Sequence, residues 1–249
     1  MSTVLLIGGT GSIGRRVVPV LLELGHTPRV LTRNPDRARV ADGAEVVGGD
    51  LADATSLGAA VRSVEAVVMT HGAPYGSGNY DGVDYGAVPA LLQALNGRDV
   101  RVALMSSIGV TGTGGSSRDL LNWKRRAERL LRASGLPYTV VRPGWFDAGT
   151  GTETRVDLRQ GDATEYGAVR REHVAQTLAH AIHEPGAVGR TVEVFSTDGP
   201  AITDWDATFG GTEADRPGSL DGAHDRPGPP VEREPDRFRT DLRRFQRRP

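Results

Sequence analysis

Through the first two-thirds of the chain, short runs of β-branched and aliphatic residues alternate with longer stretches whose apolar positions recur at helical spacing. The runs at residues 3–7, 28–32, 45–47, 66–70, 100–106 and 138–142 read as strands, since continuous apolar character over so short a length suits a strand buried on both faces. Between them, residues 13–24, 54–61, 85–95 and 120–133 repeat apolar positions every three to four residues, and Gly135 and Pro137 end the last of these helices. Such alternation predicts an α/β fold, a doubly wound parallel sheet with helices on both faces. After Arg142 the pattern loosens into a polar, glycine-containing segment before a helix at 172–183 and a strand at 190–195. The expectation is one domain over residues 1–202, with small substrate-side elements at about 147–202, and a tail over 203–249. In that tail Pro, Gly, Asp and Arg crowd around a single helix-like stretch at 236–246, which suggests a segment wrapping the surface or partly disordered.

Composition narrows the classes. A chain of 249 residues can bury a substantial core, and 38% hydrophobic content contains no apolar run approaching a membrane span of about 18 residues. No membrane association is expected, and because the first strand leads straight into a glycine turn rather than a cleavage site, the expected location is cytoplasmic. A net charge of −1 gives no global basic field for nucleic acid. The absence of cysteine excludes disulfides, thiolate metal sites and a cysteine nucleophile. Of the 30 basic residues, all but Lys124 are arginine. A composition drifting towards arginine replaces positions that need only positive charge, whereas a site needing a compact ammonium resists it, so Lys124 is singled out.

The strongest motif is the run Gly8-Gly9-Thr10-Gly11-Ser12-Ile13-Gly14 between the first strand and the first helix. Glycines there let the backbone turn sharply and approach a pyrophosphate, while the helix N-terminus offers free N–H groups and a positive dipole end. Placed at that junction, Gly8, Thr10, Gly11, Ser12, Ile13 and Gly14 point to dinucleotide binding in a Rossmann-like domain. A carboxylate at the end of the second strand would select NAD(H). The chain has Val30-Leu31-Thr32-Arg33-Asn34 instead, so the Arg33 guanidinium favours the 2′-phosphate of NADP(H), with Arg15 and Arg37 available to assist.

Other positions carry two readings. Asp50-Leu51 follows the third strand, where it can face the adenine or simply cap a turn. Thr70, His71 and Gly72 end the fourth strand on the side where ligands enter such sheets. Ser106 and Ser107 end the fifth and can serve a substrate or satisfy the strand's own backbone. His173, His180 and His183 share related faces of one helix, but no second cluster completes a metal site and none is expected. Trp123 and Trp145 read first as packing residues, although Trp145-Phe146 could wall an aromatic pocket. The string Arg125-Arg126-Ala127-Glu128-Arg129 reads as a solvated helix face.

The glycine turn, Thr32-Arg33-Asn34-Pro35, Asp50-Leu51 and Ser106-Ser107-Ile108-Gly109-Val110 together resemble the atypical short-chain dehydrogenase/reductase family, NmrA-like (isoflavone-reductase-like) branch. The later segments Trp123-Lys124-Arg125-Arg126-Ala127-Glu128, Ser134-Gly135-Leu136-Pro137-Tyr138-Thr139 and Arg142-Pro143-Gly144-Trp145-Phe146 are similar to blocks of the same branch. The resemblance implies a cofactor lined by the glycine turn, Arg33, Asp50, Leu51, residues 70–72, Lys124 and Pro143. It also implies an NADPH-dependent reductase acting on a small organic carbonyl or conjugated substrate, with Lys124 and Ser106 or Ser107 as candidate catalytic groups. Classical members place a tyrosine four residues before the lysine to transfer the proton. Here that position is Leu120, which can neither donate nor accept one. Three accounts follow: Lys124 moves the proton itself, a tyrosine such as Tyr75, Tyr80 or Tyr166 enters the site, or the chain binds cofactor without turnover. A non-catalytic NADP-binding sensor and a redox-neutral epimerase or isomerase are the alternatives to the reductase. The partner implied is a small-molecule substrate, with self-association into a homodimer left open.

Overall fold

The computed structural model describes residues 2–112, 114–115, 117–146, 149–164 and 167–247. In chain order it contains β1 (Thr3–Ile7), α1 (Gly14–Glu23), β2 (Thr27–Thr32), β3 (Glu45–Gly48), α2 (Ala54–Ala60), β4 (Ala66–Met69), α3 (Ala87–Leu95), β5 (Arg101–Met105), α4 (Arg118–Ala133) and β6 (Tyr138–Pro143). There follow β7 (Trp145–Phe146), β8 (Arg155–Arg159), β9 (Ala168–Val169), α5 (Arg171–His183), β10 (Arg190–Thr197), α6 (Trp205–Gly210) and α7 (Asp236–Phe245).

Eight strands form one sheet in the order β3-β2-β1-β4-β5-β6-β10-β8. Every pairing is parallel except β8 against β10 at the edge. This is a Rossmann-like doubly wound sheet, in which chain order reverses between β1 and β4 and opens a crevice at the carboxyl ends of the strands. The period-two geometry of β1 divides the core between two layers. Leu5 and Ile7 join Leu57, Leu91, Leu130 and Phe238 on the face covered by α2, α3, α4 and α7. Val4 and Leu6 join Val17, Leu178, Val192 and Phe209 on the face covered by α1, α5 and α6.

All six strands expected before Arg142 form, as do the four helices between them. Differences at their ends matter for the site. Thr70 and Ser106 fall just beyond β4 and β5, where their N–H groups still donate to the Ile7 and Val141 carbonyls at 2.8 and 2.7 Å, so both stand at the carboxyl ends of the strands. The helix expected from residue 85 begins at Ala87, because Asp81–Tyr85 forms a π turn in which Tyr85 N–H donates to the Tyr80 carbonyl at 3.1 Å. The polar segment after Arg142 contains β7 and β9, which pair with each other, and the edge strand β8. Periodicity does not reveal strands of two residues.

The arginine string on α4 is not a solvated face. Arg125, Glu128, Arg129 and Arg132 are buried, and residues 203–247 lie along them. Arg125 pairs with Asp221 at 3.0 Å, Arg129 with Glu234 at 2.6 Å, and Arg132 with Asp215 at 3.0 Å. Arg142 is fully buried between Glu128 at 2.7 Å and Asp225 at 2.7 Å. Guanidinium groups tolerate burial when carboxylates and carbonyl oxygens surround them, and here the carboxylates that pair with α4 from the tail come from sequence positions about 90 residues away. Among the described residues, no helix is long and apolar enough to cross a membrane.

Candidate functional site

The glycine turn leaves β1 with Gly8 at φ +89° and closes through Gly11 N–H donating to the Gly8 carbonyl at 2.9 Å. A Cβ at Gly8 would stand 2.7 Å from the His71 backbone nitrogen, so the turn sits directly against the end of β4. At Gly14 a Cβ would lie 2.3 Å from the Gly8 carbonyl oxygen, so only glycine lets α1 start this close to the turn. Thr10, Gly11 and Ser12 are exposed, whereas Ile13 and Gly14 are buried under α1. The helix has no side-chain cap and no acidic residue in its first turn, so its positive dipole end meets the crevice with no carboxylate against it, while Arg15 and Arg16 N–H donate to the Gly11 and Ile13 carbonyls at 3.1 and 2.8 Å.

Along the crevice, β4 and β5 pair with Met69 opposite Leu104, and continuing that register sets His71 level with Ser106. Both are buried, and both carry an orphaned polar atom, His71 Nδ1 and Ser106 Oγ. Ser107 instead spends its hydroxyl on the Ile108 carbonyl at 3.0 Å. Thr70 Oγ1 donates to the Ile7 carbonyl at 3.4 Å, which ties β4 to β1. Pro143 is buried at the end of β6, where its carbonyl accepts Ile108 N–H at 3.2 Å.

Lys124 enters from α4, and its ammonium Nζ lies 2.9 Å from Oδ1 of Asp84 in the π turn. The other carboxylate oxygen, Asp84 Oδ2, accepts Ala73 N–H at 3.1 Å and so anchors the loop after β4. Asp84 is buried and Lys124 nearly so. Burial, reinforced by the charge of Lys124, pushes the His71 imidazole down to about 4, so it is neutral at neutral pH. The sequence reading missed Asp84. An aspartate 40 positions from Lys124, opening a helical stretch, reads as an ordinary helix-start acid, and only the fold brings the two together.

The remaining candidates lie farther from this pair or are otherwise engaged. Arg33 is exposed just past β2, as are Arg15 and Arg37. Asp50 is exposed and accepts Ala52 N–H at 3.0 Å within its own turn, while Leu51 packs on the core. Gly72 is exposed, and a Cβ on it would stand 3.5 Å from Asp84 Oδ1. Of the tyrosines, Tyr80 is buried with its oxygen accepting Gly76 N–H at 2.7 Å, and Tyr75 is 72% exposed with its hydroxyl 3.3 Å from Ser117 Oγ. Tyr166 lies outside the described residues. Trp123 packs on the core beside Tyr85, and Trp145 is 55% exposed. His173 contacts Ser196 at 2.7 Å and His180 stacks on Trp205; among the described residues no group of three potential metal ligands converges.

A family model described as NAD(P)H-binding matches residues 8–185, from the glycine turn to the end of α5. The chain belongs to this NAD(P)H-binding family. Within it, the sequence blocks place the chain among atypical short-chain dehydrogenases/reductases of the NmrA-like kind. It is 31% identical over 235 residues to Protein TIC 62, chloroplastic, of Pisum sativum, covering 80% of this chain but 44% of that protein. It is 30% identical over 211 residues to the uncharacterized sugar epimerase YhfK of Bacillus subtilis, covering 79% of this chain and 95% of that protein. An isoflavone reductase homolog, A622 of Nicotiana glauca, is 26% identical over 78% of this chain and 68% of its own length. Among solved structures, a Bacillus halodurans protein classed with NAD-dependent epimerases/dehydratases superposes with TM-score 0.71 at 26% identity, covering 80% of this chain and 96% of that one.

The residues of this NAD(P)H-binding chain fit a dinucleotide. The turn presents backbone rather than side chains to the crevice, the α1 N-terminus is uncapped, and the orphaned His71 Nδ1 and Ser106 Oγ are buried at the strand ends.

Proposed function

We propose that the chain is an NADPH-dependent reductase that delivers a hydride to a small organic carbonyl or conjugated substrate, with Lys124 supplying the proton. The observation that carries this reading is the buried Lys124–Asp84 ion pair at the carboxyl ends of the strands, beside a histidine that burial keeps neutral. When bound, the reduced nicotinamide supplies the hydride. The protein's own groups do the rest. The N–H groups of Ser12 and Ile13 and the dipole at the start of α1 bind the pyrophosphate. Arg33, exposed at the end of β2 with no carboxylate beside it in sequence, meets the 2′-phosphate, which makes NADP(H) the preferred cofactor. Asp50 and Leu51 flank the adenine, and Thr70, His71, Gly72 and Pro143 line the crevice towards the nicotinamide. Lys124 releases a proton from Nζ to the substrate atom that would otherwise carry negative charge, which is the role Leu120 cannot fill. Ser106 Oγ, buried and orphaned, orients the same substrate oxygen. Ser107 has already donated its hydroxyl and is the weaker candidate.

Purified protein should consume NADPH with at least one member of a carbonyl and quinone panel, and Lys124→Arg should remove that turnover while leaving NADPH binding in place. Arginine keeps the charge but does not give up a proton. Tight binding with no consumption across the panel would overturn the reductase reading.

A redox-neutral reading has one observation in its favour, the relative named as a sugar epimerase that this chain spans over 95% of its length. In that case substrate stereochemistry is exchanged with no net change in NADPH absorbance, and the same panel extended to nucleotide sugars separates the two.

A further inference from the structure

Residues 203–247 lie outside the family match, yet they hold both elements that bring Lys124 and Asp84 together. From α7, Asp241 Oδ2 accepts the Tyr85 hydroxyl at 2.8 Å. Tyr85 is fully buried and directly follows Asp84 at the end of the π turn. At the other end of that turn, Asp81 pairs with Arg237 of α7 at 3.1 Å, and the Arg237 guanidinium lies 5.3 Å from the Tyr85 ring. A second branch reaches Lys124 from its own helix. Glu234 pairs with Arg126 at 2.7 Å, Arg126 stacks on Trp123 at 4.5 Å, and Trp123 packs 5.4 Å from Tyr85.

The π turn explains why this pinning matters. A π turn carries one residue more than the α-helix it interrupts and is retained where surrounding contacts favour it. Relaxing Asp81–Tyr85 into α geometry would re-register the turn by about one residue, or about 100° of rotation. Asp84 would then face away from Lys124. Contacts from α7 at Asp81 and Tyr85 clamp the turn at both ends and oppose that rotation.

We propose that Asp241, acting through Tyr85, is a positioning residue that fixes Asp84 and with it the Lys124 ammonium, so that the C-terminal segment is part of the catalytic apparatus rather than a surface appendage. The kinetic half of this proposal rests on Lys124 being the proton donor; the structural half does not. Lysine labelled with 13C at Cε and incorporated into this chain yields a single Cε resonance, because Lys124 is its only lysine. Tyr85→Phe and Asp241→Ala should each shift that resonance and lower kcat about five- to tenfold, while the KM for NADPH stays within about twofold. Arg243→Ala, on the exposed face of α7, should change neither. An unmoved Lys124 resonance in either folded variant overturns the proposal. A shifted resonance in a protein that reduces nothing upholds the positioning and refutes the reductase reading, so the two are separable.

Discussion

Lys124 Nζ and Asp84 Oδ1 stand 2.9 Å apart, and this charge pair joins α4 to the π turn ahead of α3. Because Asp84 Oδ2 also accepts Ala73 N–H, the carboxylate couples the lysine to the loop that follows β4 as well. Three segments distant in sequence are thereby fixed around the crevice, and the charge pair is dry enough for each partner to depend on the other.

That dependence is measurable in stability. Removing one partner leaves a buried charge uncompensated, so Lys124→Met and Asp84→Asn should each lower unfolding free energy by about 3 kcal/mol in urea titrations. The double variant should lose clearly less than the sum of the two. Additive losses would show that the pair is not coupled.

Cofactor preference should follow Arg33. Arg33→Ala should weaken NADPH binding about tenfold or more, while NADH binding changes less than about twofold, measured by fluorescence or calorimetric titration. Equal weakening of both would place the guanidinium on a part of the cofactor that the two share.

Gly14→Ala should be more damaging than a single methyl suggests. Its Cβ would meet the Gly8 carbonyl at 2.3 Å, against backbone that has no rotamer to adjust. A loss of about 1–3 kcal/mol in thermal or urea melts is expected, together with loss of NADPH binding as the turn and α1 separate.

Acid should destabilise the fold through His71. Its folded value lies at about 4 against 6.5 for the free side chain, so below pH 6.5 the unfolded chain takes up the proton first. Stability is therefore complete above pH 6.5, falls as pH drops towards 4, and loses about 3 kcal/mol from this group over that window. Burial lowers His26, His173 and His180 as well, with the same sign. Urea melts across this range should show His71→Asn flattening part of the slope, and an unchanged slope would assign the acid sensitivity to the other histidines.

The sheet and the cofactor turn were legible from local sequence patterns. Strands such as β1 and β4 are buried on both faces, so their apolar runs are continuous, and helices with one buried face repeat at their own period; both signals are local. The glycine turn is equally local, because its demand on the backbone falls on neighbouring residues. Lys124 stood out by composition alone. Its partner did not, since nothing within hydrogen-bonding sequence distance links position 84 to position 124, and the π turn that aims Asp84 leaves no periodic mark. The same physics hid the arginines of α4. A charged residue is assigned to solvent by its chemistry until a distant carboxylate arrives, and Asp215, Asp221 and Glu234 arrive only when residues 203–247 fold back over the helix. Local patterns specify which elements form. Long-range charge pairing, invisible to any window of sequence, decides which of them the site is made from.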